Sequence, residues 1–466
     1  MPENNTEIPI DYGEIERILR VSSGDDASHI KDILRKAMAL KGLESMDVAS
    51  LMAVNSPELL EEIFKTAIAV KEEIYGRRLV LFAPLYISNY CKNECLYCAF
   101  RAGNKDVVRR ALTQDEIAEE VRYLVRQGHK RILLVTGESY PHEGFSYILK
   151  SIETIYNTKV GNGEIRRVNV NIAPLTVDEF KQLKSAKIGT YQIFQETYHP
   201  ATYSEVHVGG RKKDFQWRLT AADRAMTAGI DDVGIGILFG LYDWRFEILA
   251  LMQHINHLEE KFNVGPHTIS VPRLEPALGS KFASNPPHQV SDKDFLKLVA
   301  ILRMAVPYTG IIMSTRENPD VRRETFALGV SQISGGSRTS PGGYSSEPFK
   351  DAAAQFQLGD HRPLDEVIRD IATLGYIPSF CTACYRLGRT GEDFMDLAKP
   401  GEIKYHCSPN ALSTFLEYLI DYGSPETQGT GENLIAQTLK NMAARERDIS
   451  EKLLEQVRSG KRDVYC

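Results

Sequence analysis

The chain has 466 residues, 42% hydrophobic and 25% charged, a globular profile long enough for a large core and more than one domain. Its 56 basic and 62 acidic residues leave a net charge of −6, which removes any electrostatic case for a nucleic-acid partner. The N-terminus, MPENNTEIPIDYGEIE, is polar and acidic, and no apolar run approaches the roughly 20 residues of a membrane helix, so a cytoplasmic protein with no membrane partner is expected.

Helical periodicity over Ser28–Leu40, Asp47–Val54 and Pro57–Tyr75 predicts a helical N-terminal extension, residues 1–76. The pattern then changes to short apolar runs separated by amphipathic helices. The runs are LVLFAPLYI (79–87), RILLVTG (131–137), RVNVNIA (167–173), TYQIFQE (190–196), VGIGILFG (233–240), TISVPRLE (268–275), GIIMSTR (310–316) and VSQISGG (330–336). Helices such as 113–128 and Trp244–Phe262 lie between them, and LDEVIRDIATLG (364–375) supplies an eighth. Eight strand–helix units over 77–375 predict an α/β fold, a closed (β/α)8 barrel of TIM type, with apolar runs that suit parallel pairing. An open doubly wound sheet has the same pattern, because strand order is not written in one sequence. The Gly/Ser/Pro-rich stretch 334–348 reads as a flexible loop at the barrel mouth, and 376–466 as a small, mostly helical C-terminal domain.

Directly after the first apolar run come Cys91, Cys95 and Cys98, spaced Cys-x3-Cys-x2-Cys. A structural zinc takes four closed ligands, whereas a cubane held by three thiolates keeps one iron open for a small molecule. Zinc with a distant fourth ligand, or plain buried thiols, is the bland alternative. With Tyr97 before the third cysteine and Phe100 after it, the segment resembles the signature of radical S-adenosylmethionine (SAM) enzymes. Six of the seven cysteines fall in two such clusters, which is metal-site usage in a reducing compartment rather than a disulfide framework.

Barrel chemistry is built at the C-terminal strand ends. The second run ends in Thr136-Gly137-Glu138, which looks like the family's glycine–glycine–glutamate motif with Thr replacing the first glycine. The resemblance puts Glu138 near the methionyl ammonium of SAM. The fourth run ends in Gln195-Glu196, and Glu196 suits a ribose or a cationic amine. Arg218, in WRLTAADRAMTAGI, resembles the biotin-synthase-like branch, where the matching arginine pairs with the cofactor carboxylate. Gly234, Gly236 and Gly240 leave room for a flat adenine or mark tight packing. Arg273, Glu275, Ser314, Arg316 and Glu317 are candidate ligands for an amino-acid substrate, with surface salt bridges as the alternative.

Near the C-terminus Cys381, Cys384 and Cys407 are spaced Cys-x2-Cys-x22-Cys. A zinc site completed by His406 or Cys466 fits the residue types, although His406 and Cys407 are adjacent and share one ion awkwardly. The paired clusters resemble the tyrosine-lyase family that matures [FeFe]-hydrogenase. The likeness extends through QETYH (195–199), GPHTISVPRLEPALGS (265–280), STRENPDVRRE (314–324) and SFCTACYRLGRTGEDFM (379–395). The thiamine-pathway tyrosine lyases resemble the barrel but lack the tail cluster.

That resemblance implies two iron–sulfur clusters: a [4Fe-4S] cluster on Cys91, Cys95 and Cys98, and a second on Cys381, Cys384 and Cys407 carrying an extra labile iron. His267 matches the histidine that binds this iron with free L-cysteine. The implied reaction begins with reductive cleavage of SAM and hydrogen abstraction from the amino group of L-tyrosine. Carbon–carbon cleavage then gives p-cresol and dehydroglycine, and carbon monoxide and cyanide are captured as an Fe(CO)2(CN) synthon. Implied partners are reduced flavodoxin or ferredoxin and other hydrogenase maturation proteins. Two other readings fit the motifs: a radical SAM enzyme using the tail cluster for sulfur insertion or electron relay, and a non-catalytic iron–sulfur carrier.

Overall fold

A computed structural model describes residues 10–141, 143–345, 352–400 and 402–466. The polar segment 1–9 and residues 346–348 of the Gly/Ser/Pro-rich stretch lie outside it.

Eight parallel strands form the centre: β1 (Arg78–Ser88), β2 (Arg131–Thr136), β3 (Arg167–Asn171), β4 (Tyr191–Glu196), β5 (Val233–Ile237), β6 (Thr268–Ser270), β7 (Gly310–Met313) and β8 (Val330–Ser334). Each pairs with its neighbour in chain order, and β8 returns to β1, with Val80 opposite Gln332 and Phe82 opposite Ser334. The barrel is therefore closed, which rules out the open sheet. β1 is buried along all 11 residues, as a strand covered on both faces must be, and this is why the runs read as continuously apolar.

The ladders are shorter than the apolar runs. β6 ends at Ser270 because Pro272 has no N–H to donate, so Arg273 and Glu275 lie on a loop beyond it. The stretch 334–345 lies at the barrel mouth, where Ser334 and Thr339 line the upper cavity, but it is packed: Ser337, Ser340 and Tyr344 are buried, and the Tyr344 hydroxyl donates to Pro84 O at 2.7 Å.

Four helices precede the barrel: α1 (Tyr12–Val21), α2 (Ala27–Ala37), α3 (Ser45–Ala53) and α4 (Pro57–Tyr75). Their N-termini carry the expected caps, with Asp11, Asp26 and Ser56 accepting from first-turn N–H groups. Lys297, on the helix Asp292–Ala305, donates to Met52 O and Val54 O at 2.6 Å and pins this layer to the barrel.

A ninth strand, β9 (Ile377–Ser379), was not foreseen. It pairs in parallel with the start of β1, Arg78 opposite Ile377 and Val80 opposite Ser379. Val80 also faces Gln332, so β9 must occupy the other edge of β1, below the point where β2 begins. This stitches the tail to the N-terminal ends of the strands and delivers Cys381 there. The long helix Ile403–Asp421 is fastened to the same end by a buried pair, Arg166 Nη2 to Glu417 Oε1 at 2.6 Å.

Candidate active site and second metal centre

The C-terminal ends of the strands surround a cavity with about 180 Å³ of space open to the centre of a water-sized sphere. Cys91, Cys95 and Cys98 line it from the loop after β1. That loop is held flat by an antiparallel ladder between Glu94–Cys95 and His207–Gly209. Tyr97 locks it further, its hydroxyl lying 2.8 Å from Nε2 of His207, whose ring burial keeps neutral with a pKa of about 2. Gly137 is required here, since a Cβ would meet Tyr90 O at 2.3 Å.

The thiol set suits a polynuclear cation. Burial pushes the Cys91 thiol up to about 11 and raises Cys95 and Cys98 as well, so the thiolates form only with metal charge beside them. Cys98 Sγ accepts from Phe100 N at 3.4 Å and Gln355 Nε2 at 3.8 Å. Among the described residues no three His, Cys, Asp or Glu side chains are drawn together around a single point.

Beside the cysteines lies an alternating charge network. Arg218 donates to Glu138 Oε1 at 2.8 Å and to Phe194 O at 2.6 Å, and stands 3.5 Å from Glu196 Oε1. Lys212 donates to the same Glu196 oxygen at 2.6 Å, and Asn93 donates to Glu138 Oε2 at 2.7 Å. Burial works against an ionised Glu138, yet Arg218 and Lys212 hold its pKa below the usual range. The two carboxylates and two cations balance, leaving a polar wall matched to a zwitterion. Glu196 is presented by a bulge, with φ at 72° and a register shift between β4 and β5.

Glu275, Ser314 and Arg316 line the opposite wall. Arg316 lies over the Phe356 ring at 3.3 Å and makes no ion pair among the described residues. Burial, and Glu317 after it, push Glu275 up to about 7. Arg273 does not belong here. Its guanidinium is taken up by Glu317, Asp292 at 2.8 Å and Val290 O at 2.9 Å, and its backbone is bridged to Phe239. Gly234 and Gly236 serve packing: Cβ atoms there would strike Thr268 Oγ1 at 2.5 Å and Phe194 Cδ1 at 2.8 Å.

At the N-terminal ends of the strands a second, smaller cavity of about 60 Å³ is lined by Cys381, Cys384, Cys407 and His267. Burial raises the Cys381 thiol to about 11. The hydrogen bond from Cys384, with Arg78, Arg389 and Arg131 nearby, pulls the Cys407 thiol down and favours its thiolate. These cations would offset the negative charge of a thiolate-ligated cluster. His406 and Cys466 do not line this cavity; Cys466 is held by Asn410, whose Oδ1 accepts its N–H at 2.9 Å.

The cavities nearly meet. The upper reaches Phe82 and Ser334, the lower Val80 and Gln332, which are neighbouring same-face positions on β1 and β8. One pleat, about 7 Å, separates them.

Sequence reasoning missed Asn93, Lys212 and Gln355 above, and Arg78, Arg131, Asp232 and Arg389 below. Lys212 sits in the run Arg211-Lys212-Lys213, which reads as a solvated turn. Only its antiparallel neighbour brings it over the cysteine loop.

Residues 85–254 match the radical SAM superfamily, and residues 270–377 the biotin and thiamin synthesis associated domain. The chain is similar to the crystal structure of HydG, a maturase of the [FeFe]-hydrogenase, with 50% identity, a TM-score of 0.94, and coverage of 98% of this chain and 99% of that one. It is similar also to the FeFe-hydrogenase maturase HydG from Carboxydothermus hydrogenoformans, with 43% identity, a TM-score of 0.83, and coverage of 95% and 97%. The 2-iminoacetate synthase of Salmonella typhimurium is 29% identical over 77% of this chain and 92% of its own length.

Proposed function

The chain belongs to the HydG family of [FeFe]-hydrogenase maturases within the radical SAM superfamily, and from that premise we propose that it is a radical SAM tyrosine lyase. It cleaves L-tyrosine to p-cresol and dehydroglycine, and delivers carbon monoxide and cyanide as an Fe(CO)2(CN) synthon for the hydrogenase cofactor. The carrying observation is one barrel with three cysteines at each mouth and His267 among the lower set.

A [4Fe-4S] cluster on Cys91, Cys95 and Cys98, with SAM bound, supplies a hydrogen-abstracting radical. The chain's share is to hold the reactants in register and keep water away. Glu138 would take the methionyl ammonium and Arg218 the methionyl carboxylate, with Lys212 and Glu196 closing the polar wall; Tyr97 fixes the cysteine loop. Arg316 and Ser314 take the tyrosine carboxylate. Glu275, with a pKa near 7, takes a proton from the tyrosine ammonium and frees the amino group for abstraction. The small product then crosses about one pleat of barrel interior to the lower cavity. There Cys381, Cys384 and Cys407 would hold the second cluster, and His267 with free L-cysteine would bind the labile iron that leaves as product. Reduced flavodoxin or ferredoxin supplies electrons, and other maturation proteins receive the synthon.

The test is tyrosine-dependent carbon monoxide from the anaerobically reconstituted chain given SAM and a strong reductant. In Cys381→Ala/Cys384→Ala, carbon monoxide should vanish while p-cresol continues. Cofactor cleavage without p-cresol in the intact protein would reject tyrosine lysis in favour of sulfur insertion or electron relay.

A further inference from the structure

One buried carboxylate at the lower mouth has no hydrogen-bond partner. Asp232, the residue before β5, is 3% exposed, and neither of its side-chain oxygens accepts a bond. Its main chain is fixed, since its carbonyl accepts from Tyr191 N at 3.0 Å, and its side chain lines the cavity with the three tail cysteines. The nearby arginines are partly engaged: Arg131 donates through Nη2 to Cys381 O at 3.1 Å and Arg167 lies 3.3 Å over the Tyr385 ring, while the Nε of each has no hydrogen-bond partner. A carboxylate at this depth is unfavourable unless a cation or a donor faces it.

The group that faces it is His267, whose Nδ1 lies 4.0 Å from Asp232 Oδ1. The His267 backbone is locked in the ladder, donating to Val233 O at 2.8 Å and accepting from Gly310 N at 2.9 Å. Its ring leans on Phe394, 4.5 Å between centroids. Only the ring torsions remain to be set, and a turn closing the gap by about 1 Å completes a hydrogen bond.

We propose that Asp232 is a positioning residue for the second metal centre: it accepts the Nδ1 hydrogen of His267 and so fixes the tautomer that leaves Nε2 bare for iron. This rests on the reading of His267 as a ligand of the labile iron. The proton stays on Nδ1 throughout, and the carboxylate gains the donor it lacks.

The experiment titrates ferrous ion alone into the full-length chain carrying both clusters, with and without L-cysteine. It reads the iron Kd and the hyperfine coupling of ring-15N histidine. Asp232→Leu should weaken iron binding about 10- to 100-fold and reduce the coupling, with p-cresol formation at the far mouth unchanged. Asp232→Asn keeps an acceptor without the charge and should fall between. In a His267→Ala background the leucine change should add nothing. Wild-type Kd and coupling in both Asp232 variants would overturn the proposal while leaving the labile iron in place. If the leucine variant does not assemble, the asparagine variant decides, wild-type affinity and coupling again overturning it. Failure of the unaltered protein to bind iron beyond its two clusters would instead sink the labile-iron reading, and this proposal with it.

Discussion

Arg218→Met tests the polar wall of the upper cavity. The side chain is nearly fully buried, and its fork serves Glu138 at 2.8 Å and the Phe194 carbonyl at 2.6 Å. Removing one partner of a buried ion pair costs about 3–5 kcal/mol, because the other charge is stranded. Asn93 still holds Glu138 and Lys212 still holds Glu196, at 2.7 and 2.6 Å, which places the expected loss near the lower bound, ~3 kcal/mol. With 466 residues at about 2.1 cal/mol/K each, that moves Tm by only ~3 °C, so chemical denaturation of the anaerobic protein is the better assay. The loss is pH-dependent. In the unaltered protein Glu138 titrates below its unfolded value, so its contribution is present above about pH 4.3 and fades as pH falls through the lower folded value. Without Arg218, burial dominates and Glu138 takes up a proton at higher pH, so the gap between variant and wild type narrows on acidification. SAM should bind at least about tenfold more weakly, one charge-assisted bond being worth about 1.5–3 kcal/mol. A variant as stable as wild type at pH 7.5, or a gap that widens toward pH 5, would refute this account of the wall.

Arg316→Met removes a cation with no ion-pair partner among the described residues and keeps an apolar chain against Phe356, so stability should hold while KM for tyrosine rises about 10- to 100-fold, as steady-state p-cresol formation would show. Equal loss of kcat with unchanged KM would place Arg316 elsewhere. Gly137→Ala drives a Cβ into Tyr90 O, displaces the cysteine loop, and should cut SAM cleavage about 10²-fold with the lower cluster's iron retained. Glu247 is fully buried beneath Thr197 and Tyr198, and burial pushes it up to about 8. A folded value above the unfolded one gives stability that is full below about pH 4.3 and is lost as pH rises toward 8. Glu247→Gln, which mimics the protonated form, should flatten the stability profile over that range; an unchanged slope in urea unfolding would contradict it.

Much of this was legible in one dimension because it depends on spacing along the chain. Eight apolar runs separated by amphipathic helices are what a buried parallel barrel demands, since covered strands cannot alternate. Three thiolates within one loop need no distant partner to be recognised as a cluster site. Glu138, Glu196, Glu275, Ser314 and Arg316 reach one cavity because strand ends converge in any closed barrel. Arg273 shows where that rule stops: it lies two residues from Glu275, yet its guanidinium is held by Glu317.

The sequence by itself determined which residues could be ligands, and that they belong to two groups of three. Tertiary structure alone decided where the second group sits. The pairing of β9 with β1 carries Cys381 and Cys384 under the barrel, and the helix fastened there by Arg166 and Glu417 brings Cys407, beside His267 more than a hundred positions earlier. It also decided which charges act as partners. Lys212 and Asp232 carry no motif along the chain, and become functional candidates only because the fold buries Asp232 and brings Lys212 against Glu196. Burial and long-range pairing are properties of the closed barrel, and no window along the chain contains them.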